Sequence, residues 1–466
     1  MKGPAAGWGL SLAACSLLIL ASTAALAEPR RTVPPAHDLA QIRQAKVLRV
    51  VVNQSRNSSA TIAGAAVGVE DQRLQAFEDY LNSQPGPHPR IHLKAVPRPK
   101  GQLLGALQRG EADLAAPGEL LPATSAQSVS AATTAADTPL VLVQPRKHRP
   151  YANLDQLAGK RIVLVAGSAA EEAINRANVQ LAARHRPAIT VEWADPSLGV
   201  EDVLDMVSAG VYSMTLVEQP IAERWVKLMP DLRIERRLPL HTAAPMSWYV
   251  RGDAPQLSDS VRQFLGQYRP PANQDKALLD GCRGLYQTQY PLDRDDRARL
   301  EALRPVLQRN AREQGLDWLD LAALAYKESD LDPTARGSSG ASGPMQITPA
   351  AARRVGVKSV SELDDSVKAA ARYLALIRRN FFNSKALDER ERMAFVLAAY
   401  NLGPERVQRF RAQARQRGLD PNRWFFQVER IAMENVGVAP VSYVNNVNKY
   451  YLAFDRARDS LEPRAR

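Results

Sequence analysis

One glutamate stands out because it ends a short apolar pattern at helical spacing. Leu321, Leu324 and Ala325 occupy positions i, i+3 and i+4 of this pattern, and Glu328 follows at i+7. A helix here therefore places Glu328 on its apolar face. Asp317 can cap the first turn of that helix. A carboxyl group in such surroundings is costly to ionise, and we expect its pKa to be raised. Glu328 is therefore a candidate general acid, with a glutamate paired to an arginine at the core margin as the alternative.

A glycine- and serine-rich string follows this predicted helix. Residues 337–343 read Gly-Ser-Ser-Gly-Ala-Ser-Gly and are followed by Met345 and Gln346. Such a string is too flexible for a helix, and it suits a backbone that approaches a ligand closely. Its candidate substrate contacts are Ser338, Gly340, Met345 and Gln346.

Two further segments carry candidate contacts. Residues 398–404 read Ala-Ala-Tyr-Asn-Leu-Gly-Pro and contain Tyr400 and Asn401, and Tyr443 precedes Val444 in a later helical pattern. Ordinary helix packing is the alternative for Tyr400. No second catalytic carboxylate is predicted with the same support as Glu328. Asp330 and Asp332 lie at or just beyond the end of the predicted helix.

Taken together, these segments resemble the catalytic domain of the soluble lytic transglycosylase type, which has a goose-lysozyme-like fold. The resemblance implies that Glu328 is the catalytic residue and that the substrate groove is lined by Ser338, Gly340, Met345, Gln346, Tyr400, Asn401 and Tyr443. Two positions depart from the pattern. Gly337 stands where the family usually has Ser, with Ser338 one place later, and Ala439-Pro440 stand where it often has Glu-Thr. These departures affect substrate contacts and leave the acid in place.

Upstream, apolar strands alternate with helical patterns over residues 41–268. Strands are predicted at 47–52, 91–96, 139–144, 161–166, 189–193 and 213–217, and helices at 68–82, 169–184 and 199–209. This alternation is typical of α/β units on parallel or mixed sheets. We therefore predict a two-lobed α/β region.

The order of these segments resembles extracellular solute-binding domains of the polar amino acid type. The resemblance rests on Val47-Leu48-Arg49-Val50, on the Gly110-Glu111-Ala112-Asp113 stretch and on Leu157-Ala158-Gly159-Lys160. Such domains usually follow the aspartate with an Arg that clamps the ligand carboxylate, whereas this chain has Glu119 and no Arg until Arg146. The sequence therefore argues against a free amino acid as ligand.

The domain order is predicted from composition. A Pro-, Gly- and charge-rich stretch at 269–296 is the expected linker, and helical spacing dominates the α-rich region at 297–460. A solute-binding-type region before such a catalytic domain resembles the membrane-bound lytic murein transglycosylase F family. In that family the first domain is regarded as regulatory and as sensing peptidoglycan fragments, so muropeptides are the ligands that the resemblance implies.

The N-terminus predicts export to the periplasm. Lys2, an apolar stretch and Ala25-Leu26-Ala27 form a signal peptide over 1–27 with a flexible leader at 28–40. An uncleaved anchor and lipidation at Cys15, which would favour peripheral outer-membrane association, are the alternatives. Cleavage leaves Cys282 alone, so no intramolecular disulfide is expected.

The formal charge of +12 favours anionic partners, and cell-wall polymers, lipid headgroups and nucleic acid all satisfy it. No nucleic-acid-binding motif, metal pattern or cofactor motif occurs, so we expect no nucleic acid, metal or cofactor.

Most glycosidases need two carboxylates. The resemblance instead implies one, with Glu328 protonating the glycosidic oxygen between N-acetylmuramic acid and N-acetylglucosamine of peptidoglycan strands. Glu328 then accepts the proton of the muramic C6 hydroxyl, which attacks the anomeric carbon and gives a 1,6-anhydro end. The alternatives are a hydrolytic lysozyme, a non-catalytic peptidoglycan or muropeptide sensor, and a transport-linked amino acid receptor.

Overall fold

A computed structural model describes residues 37–62, 64–86, 89–122, 129–132, 137–238, 240 and 245–462. The predicted signal peptide over 1–27, Cys15 and most of the predicted leader lie outside the described residues. Within the part that is described, no helix is both long and apolar enough to cross a bilayer.

The first lobe is built on a five-stranded sheet with the strand order β4-β1-β5-β12-β6. Its strands are β1 (Val47–Asn53), β4 (His92–Arg98), β5 (Leu114–Ala116), β6 (Val129–Ala132) and β12 (Trp248–Arg251). Strand β1 pairs in parallel with β4 and β5, whereas β12 runs antiparallel to β5 and β6. The helices of this lobe are α1 (Leu39–Ala45), α2 (Val69–Asn82), α3 (Leu103–Gln108) and α7 (Pro255–Gln267), and a small hairpin joins β2 (Thr61–Ile62) to β3 (Ala65–Ala66).

The second lobe carries another five-stranded sheet, in the order β11-β7-β10-β8-β9. Its strands are β7 (Leu140–Pro145), β8 (Arg161–Leu164), β9 (Thr190–Trp193), β10 (Thr215–Glu218) and β11 (Leu232–Glu235). Its helices are α4 (Ala170–Ala183), α5 (Val200–Ala209) and α6 (Gln219–Trp225). All six strands predicted from the sequence are present within one or two residues.

The rest of the described chain is helical. The helices are α8 (Gln274–Cys282), α9 (Arg294–Gln314), α10 (Trp318–Ser329), α11 (Pro349–Arg354), α12 (Leu363–Phe381), α13 (Glu389–Leu402), α14 (Pro404–Gln416), α15 (Glu429–Val436), α16 (Val438–Arg456) and α17 (Arg458–Leu461). The predicted fold class, a two-lobed α/β region followed by an α-rich region, is confirmed by these elements. Helix α8 lies inside the stretch predicted as a linker.

Buried ion pairs tie both lobes to the α-rich region. Arg56, which follows β1, contacts Glu429 of α15 at 2.6 Å and Asp202 of α5 at 2.9 Å. Lys449 of α16 contacts the same Asp202 at 3.0 Å and Asp205 at 2.8 Å. All five side chains are almost fully buried. Because removing one partner would strand a charge in a water-free site, this cluster fixes how the helical region sits on the lobes.

Candidate active site

Glu328 lies on the last turn of α10, where the apolar spacing placed it. Asp317 accepts a hydrogen bond from the Leu319 amide at 3.0 Å and so caps the helix, as predicted. At the other end Asp330 adopts a left-handed conformation (φ 51°) and stops the helix just beyond Glu328. The apolar residues of α10 pack along α16, with the rings of Tyr326 and Tyr450 4.6 Å apart. Glu328 is held at the edge of this packing and is half-buried.

The surroundings of Glu328 favour its protonated form. Burial raises the pKa of its carboxyl group above the usual range, and this effect outweighs two opposing ones. The Tyr443 hydroxyl donates to Oε1 of Glu328 at 2.7 Å, and the neighbouring Lys327 is a cation; both lower the pKa. Among the described residues no group donates to Oε2 of Glu328. That oxygen is therefore free to carry the transferable proton.

Glu328 faces a cavity of about 540 Å³, a usual size for a ligand site. Of the residues that the sequence singled out, those lining it are Glu328, Ser338, Gln346, Tyr400 and Asn401. Among the described residues of this lining, Glu328 is the only carboxylic acid. Asp330 and Asp332 are exposed and do not line it, and the Thr334 backbone and side chain hold the pKa of Asp332 below its usual range. The cavity therefore offers one acid and several hydroxyl and amide groups.

Three other predicted contacts occupy different positions. Met345 is buried, and its carbonyl accepts a hydrogen bond from the Tyr400 hydroxyl at 2.9 Å, so it supports the wall from behind. Gly340 has φ +74°, a conformation that suits glycine, and does not line the cavity. Tyr443 reaches the site through its hydroxyl bond to Glu328.

Gly337 lies against the side chain of Gln346. A Cβ at Gly337 would overlap Oε1 of Gln346. Nε2 of Gln346 donates to the Gly343 carbonyl at 2.8 Å. The Gln346 side chain thus occupies the space that a serine at 337 would need. Ser338, one place later, is exposed and lines the cavity.

Some lining residues were not predicted from the sequence. Tyr373 of α12 lines the cavity, and its ring centroid lies 5.8 Å from that of Tyr400. Thr348 and Ala351 line it near the start of α11. In the sequence Tyr373 sits among apolar residues of an ordinary helical pattern, which gives no signal for a groove.

The two lobes meet at a buried set of charges near the carboxyl ends of their strands. Lys100 pairs with Glu119, which also accepts a bond from Asn53 at 2.6 Å, and Glu218 accepts one from the Leu120 amide at 2.7 Å. Burial alone would lower the pKa of Lys100, but Glu119 and Glu218 outweigh it and the pKa is raised. The chain thus places a lysine beside two carboxylates here, where the sequence showed no clamping arginine.

Comparison with known proteins agrees with this geometry. Residues 305–422 match the family described as "Transglycosylase SLT domain", a stretch that includes Glu328, the glycine string and Tyr400. This matched stretch lies within the α-rich region. Tyr443 lies beyond the matched stretch of the SLT domain, on α16, although it contacts the acid directly.

Similarity extends beyond the SLT domain. The membrane-bound lytic murein transglycosylase F of Ectopseudomonas mendocina is 28% identical over 94% of this chain and 89% of its own length. That of Pseudomonas syringae pv. syringae is 27% identical over 89% of this chain and 83% of its own, and that of Desulfosudis oleivorans is 29% identical over 48% and 49%. The similarity to the first two of these proteins covers both regions of the chain.

Solved structures match about half of this chain. A substrate-binding protein of an amino acid ABC transporter is 19% identical, has a TM-score of 0.40, and is matched over 50% of this chain and 97% of its own. The arginine-bound AbpA of Streptococcus pneumoniae is 18% identical with a TM-score of 0.41, over 52% of this chain and 97% of its own.

Among the residues that the structure covers, no group of three or more His, Cys, Asp or Glu side chains is arranged to hold a metal ion.

Proposed function

We propose that the protein is a peptidoglycan lytic transglycosylase in which Glu328 acts first as acid and then as base. The observation that carries the proposal is that a half-buried carboxyl group with a raised pKa lines the cavity without a second acid among the described lining residues. The SLT domain match and the similar murein transglycosylases support the same reaction.

In the first step Glu328 donates its proton to the glycosidic oxygen between N-acetylmuramic acid and N-acetylglucosamine. The C1–O bond breaks, and the leaving sugar departs with a free C4 hydroxyl. Tyr443 keeps its hydrogen bond to Oε1, which stabilises the carboxylate that Glu328 becomes. Oε2 is the oxygen available for proton transfer.

In the second step the Glu328 carboxylate takes the proton of the muramic C6 hydroxyl. The C6 oxygen then forms a bond to C1, which closes the 1,6-anhydro ring and returns Glu328 to its starting form. Water is not consumed. An inverting hydrolase needs a second carboxylate to activate water and a retaining one needs a carboxylate nucleophile, and the described lining supplies neither.

Mass spectrometry of products from purified sacculi tests this reaction. We expect muropeptides that end in 1,6-anhydromuramic acid, each one water lighter than the hydrolysis product. Products with a free reducing end would establish a lysozyme instead. Binding of sacculi without any released product would establish a non-catalytic sensor.

The two-lobed region is proposed to sense peptidoglycan fragments. Its support is the lobe architecture, together with the buried Lys100, Glu119 and Glu218 side chains where the lobes meet. Calorimetry of the full chain with muropeptides should give saturable binding, and free amino acids should give none. Binding of free amino acids alone would contradict this role.

The site of action is proposed to be the periplasm, with peripheral association at the outer membrane. The signal-peptide pattern over residues 1–27 and the wall substrate support it. Cell fractionation followed by mass analysis of the mature N-terminus tests the proposal. A chain that starts at Glu28 supports a cleaved signal, a lipid-bearing Cys15 supports anchoring by lipid, and cytoplasmic recovery contradicts both.

A further inference from the structure

A second cavity, of about 640 Å³, lies beside the first one. Asn401 lines both cavities. Tyr443 lines the second and donates its hydroxyl hydrogen to Glu328, which lines the first. A substrate bound at Glu328 can therefore extend into either cavity.

The walls of the second cavity come from separate parts of the chain. One wall is the end of α8 and the segment after it, with Asp280, Gly281, Gly284 and Gln287. Another part of the lining is the start of α16, from Val438 to Asn446, and Lys327 of α10 also lines the cavity. The stretch expected to be a linker thus forms part of the cavity next to the catalytic residue.

The described lining of this cavity contains one cation, Lys327, and one anion, Asp280. Lys327 forms no ion pair with any described residue, and it is partly exposed. Asp280, the acid in the lining, already pairs with Lys276 and with Arg283 at 3.2 Å on its own helix segment. The first turn of α16 has no acidic residue. An anionic group in the cavity would find Lys327 uncompensated.

A buried acceptor lies in the same wall. Asn446 is 5% exposed and lines the cavity, and its Oδ1 has no hydrogen-bond partner among the described residues. A buried carbonyl oxygen without a donor is costly, so a bound N–H group would stabilise this site. The lining is otherwise small and apolar or neutral and polar, and Tyr443 is its only aromatic residue within the described chain.

The first cavity differs, because Tyr373 and Tyr400 both line it and can contact sugar rings. The second combines an unpaired ammonium, an unpaired amide oxygen and small apolar groups, which suits a short anionic peptide. We propose that the second cavity binds the stem peptide of a muramic acid residue, with a peptide carboxylate on Lys327 and a peptide N–H donated to Asn446. This inference rests on the proposed function, since it takes Glu328 as the cleavage site.

The test compares two substrates cleaved by the same acid. Full-length protein is given glycan oligomers with intact stem peptides, and the same oligomers after an amidase has removed the peptides. Lys327→Met keeps the length of the side chain and removes its charge, whereas Lys327→Arg keeps the charge. Lys385→Met, at an exposed lysine between α12 and α13, is the matched control.

We expect wild-type protein to prefer the peptide-bearing glycan, and Lys327→Met to lower the ratio of the two kcat/KM values about fivefold to tenfold. Any effect of Lys327 on Glu328 cancels in this ratio because both substrates use the same acid. Lys327→Arg should keep most of the preference, and Lys385→Met all of it. Amidation of the stem-peptide carboxylates should lower the wild-type ratio as Lys327→Met does.

The outcomes separate this inference from the function on which it rests. If wild-type protein cleaves neither substrate, the proposed function fails. If it cleaves both and Lys327→Met leaves the ratio unchanged, the peptide site is wrong while the transglycosylase stands. A lowered ratio that is restored in Lys327→Arg supports the peptide site.

Discussion

The Tyr443 hydroxyl donates to Oε1 of Glu328 at 2.7 Å, which joins the first half of one helix to the last turn of another. Tyr443 belongs to α16 and Glu328 to α10, and the two helices pack along each other. Burial raises the pKa of the tyrosine well above its usual value, so the phenol stays protonated and always donates. This hydrogen bond lowers the pKa of the Glu328 carboxyl group.

Removal of that bond should change the pH profile of the enzyme. The bond favours the ionised form of Glu328 and lowers its pKa, so Tyr443→Phe should raise it further. Because the first step needs protonated Glu328, the alkaline fall in kcat/KM should move to higher pH. Initial rates between pH 5 and 9 measure it. A shift toward lower pH would contradict the assigned direction of the hydrogen bond.

Gly337 should tolerate even a single added carbon poorly. In Gly337→Ala the new Cβ would displace the Gln346 side chain, because Oε1 of Gln346 occupies the space that the Cβ needs. We expect activity to fall about tenfold, since small displacements in an active site are costly. Gly101→Ala, where the added carbon meets nothing within 4 Å, is the control and should keep full activity. Unchanged activity in Gly337→Ala would show that Gln346 can move without loss.

The buried ion pairs between the lobes and the helical region should dominate stability. Glu429→Gln leaves Arg56 with less compensation in a buried site, and we expect a loss of about 3 kcal/mol in the free energy of unfolding. Asp364→Asn breaks the exposed pair with Arg309 and should cost less than about 1 kcal/mol. Denaturant unfolding followed by circular dichroism compares the two. Equal losses in the free energy of unfolding would show that the buried ion pairs stabilise the fold no more than the exposed pair does.

Stability should also depend on pH through Glu391. Burial raises the pKa of this carboxyl group to about 7, although the Trp424 amide donates to it at 2.6 Å. A carboxyl group whose pKa is higher in the folded chain than in the unfolded chain, where it is near 4.5, contributes to stability at pH values below 4.5. This contribution is lost as the pH rises through about 7.

Glu391→Gln should therefore reduce the fall in stability between pH 4.5 and pH 8, by up to about 3 kcal/mol. Melting temperatures at the two ends of this range measure it. Glu201, whose pKa burial also raises to about 7, contributes in the same direction and remains in the variant. A steeper fall in Glu391→Gln than in wild type would contradict the assigned shift.

Local patterns were enough to predict the position of Glu328 on its helix and much of the fold. Glu328, its cap Asp317 and the strands with continuous β-branched runs follow from spacing within one element. Strands β6, β11 and β12 were missed because each is four residues long and mixes polar with apolar side chains. Such short strands form because neighbouring strands of the sheet supply their hydrogen bonds, and their own sequence gives little signal.

Contacts between distant segments could not be read from the sequence. Tyr443 was chosen by resemblance, but its bond to Glu328 depends on the packing of α10 against α16. Gln287 lies in what composition described as a linker, and only the fold places it with residues of α16 in the lining of the second cavity. Met345 was expected to contact the substrate because it belongs to a strong motif. In the structure its backbone carbonyl instead accepts a hydrogen bond from Tyr400.

The most direct measurement is anhydro product release by Glu328→Gln, with Glu405→Gln as the control at an exposed glutamate. Both variants are incubated with purified sacculi, and 1,6-anhydromuropeptides are quantified by mass spectrometry. We predict that Glu328→Gln lowers the rate about 10²- to 10⁴-fold while the control matches wild type. Wild-type rates in Glu328→Gln, with the same anhydro products, would contradict the assignment of Glu328 as acid and base.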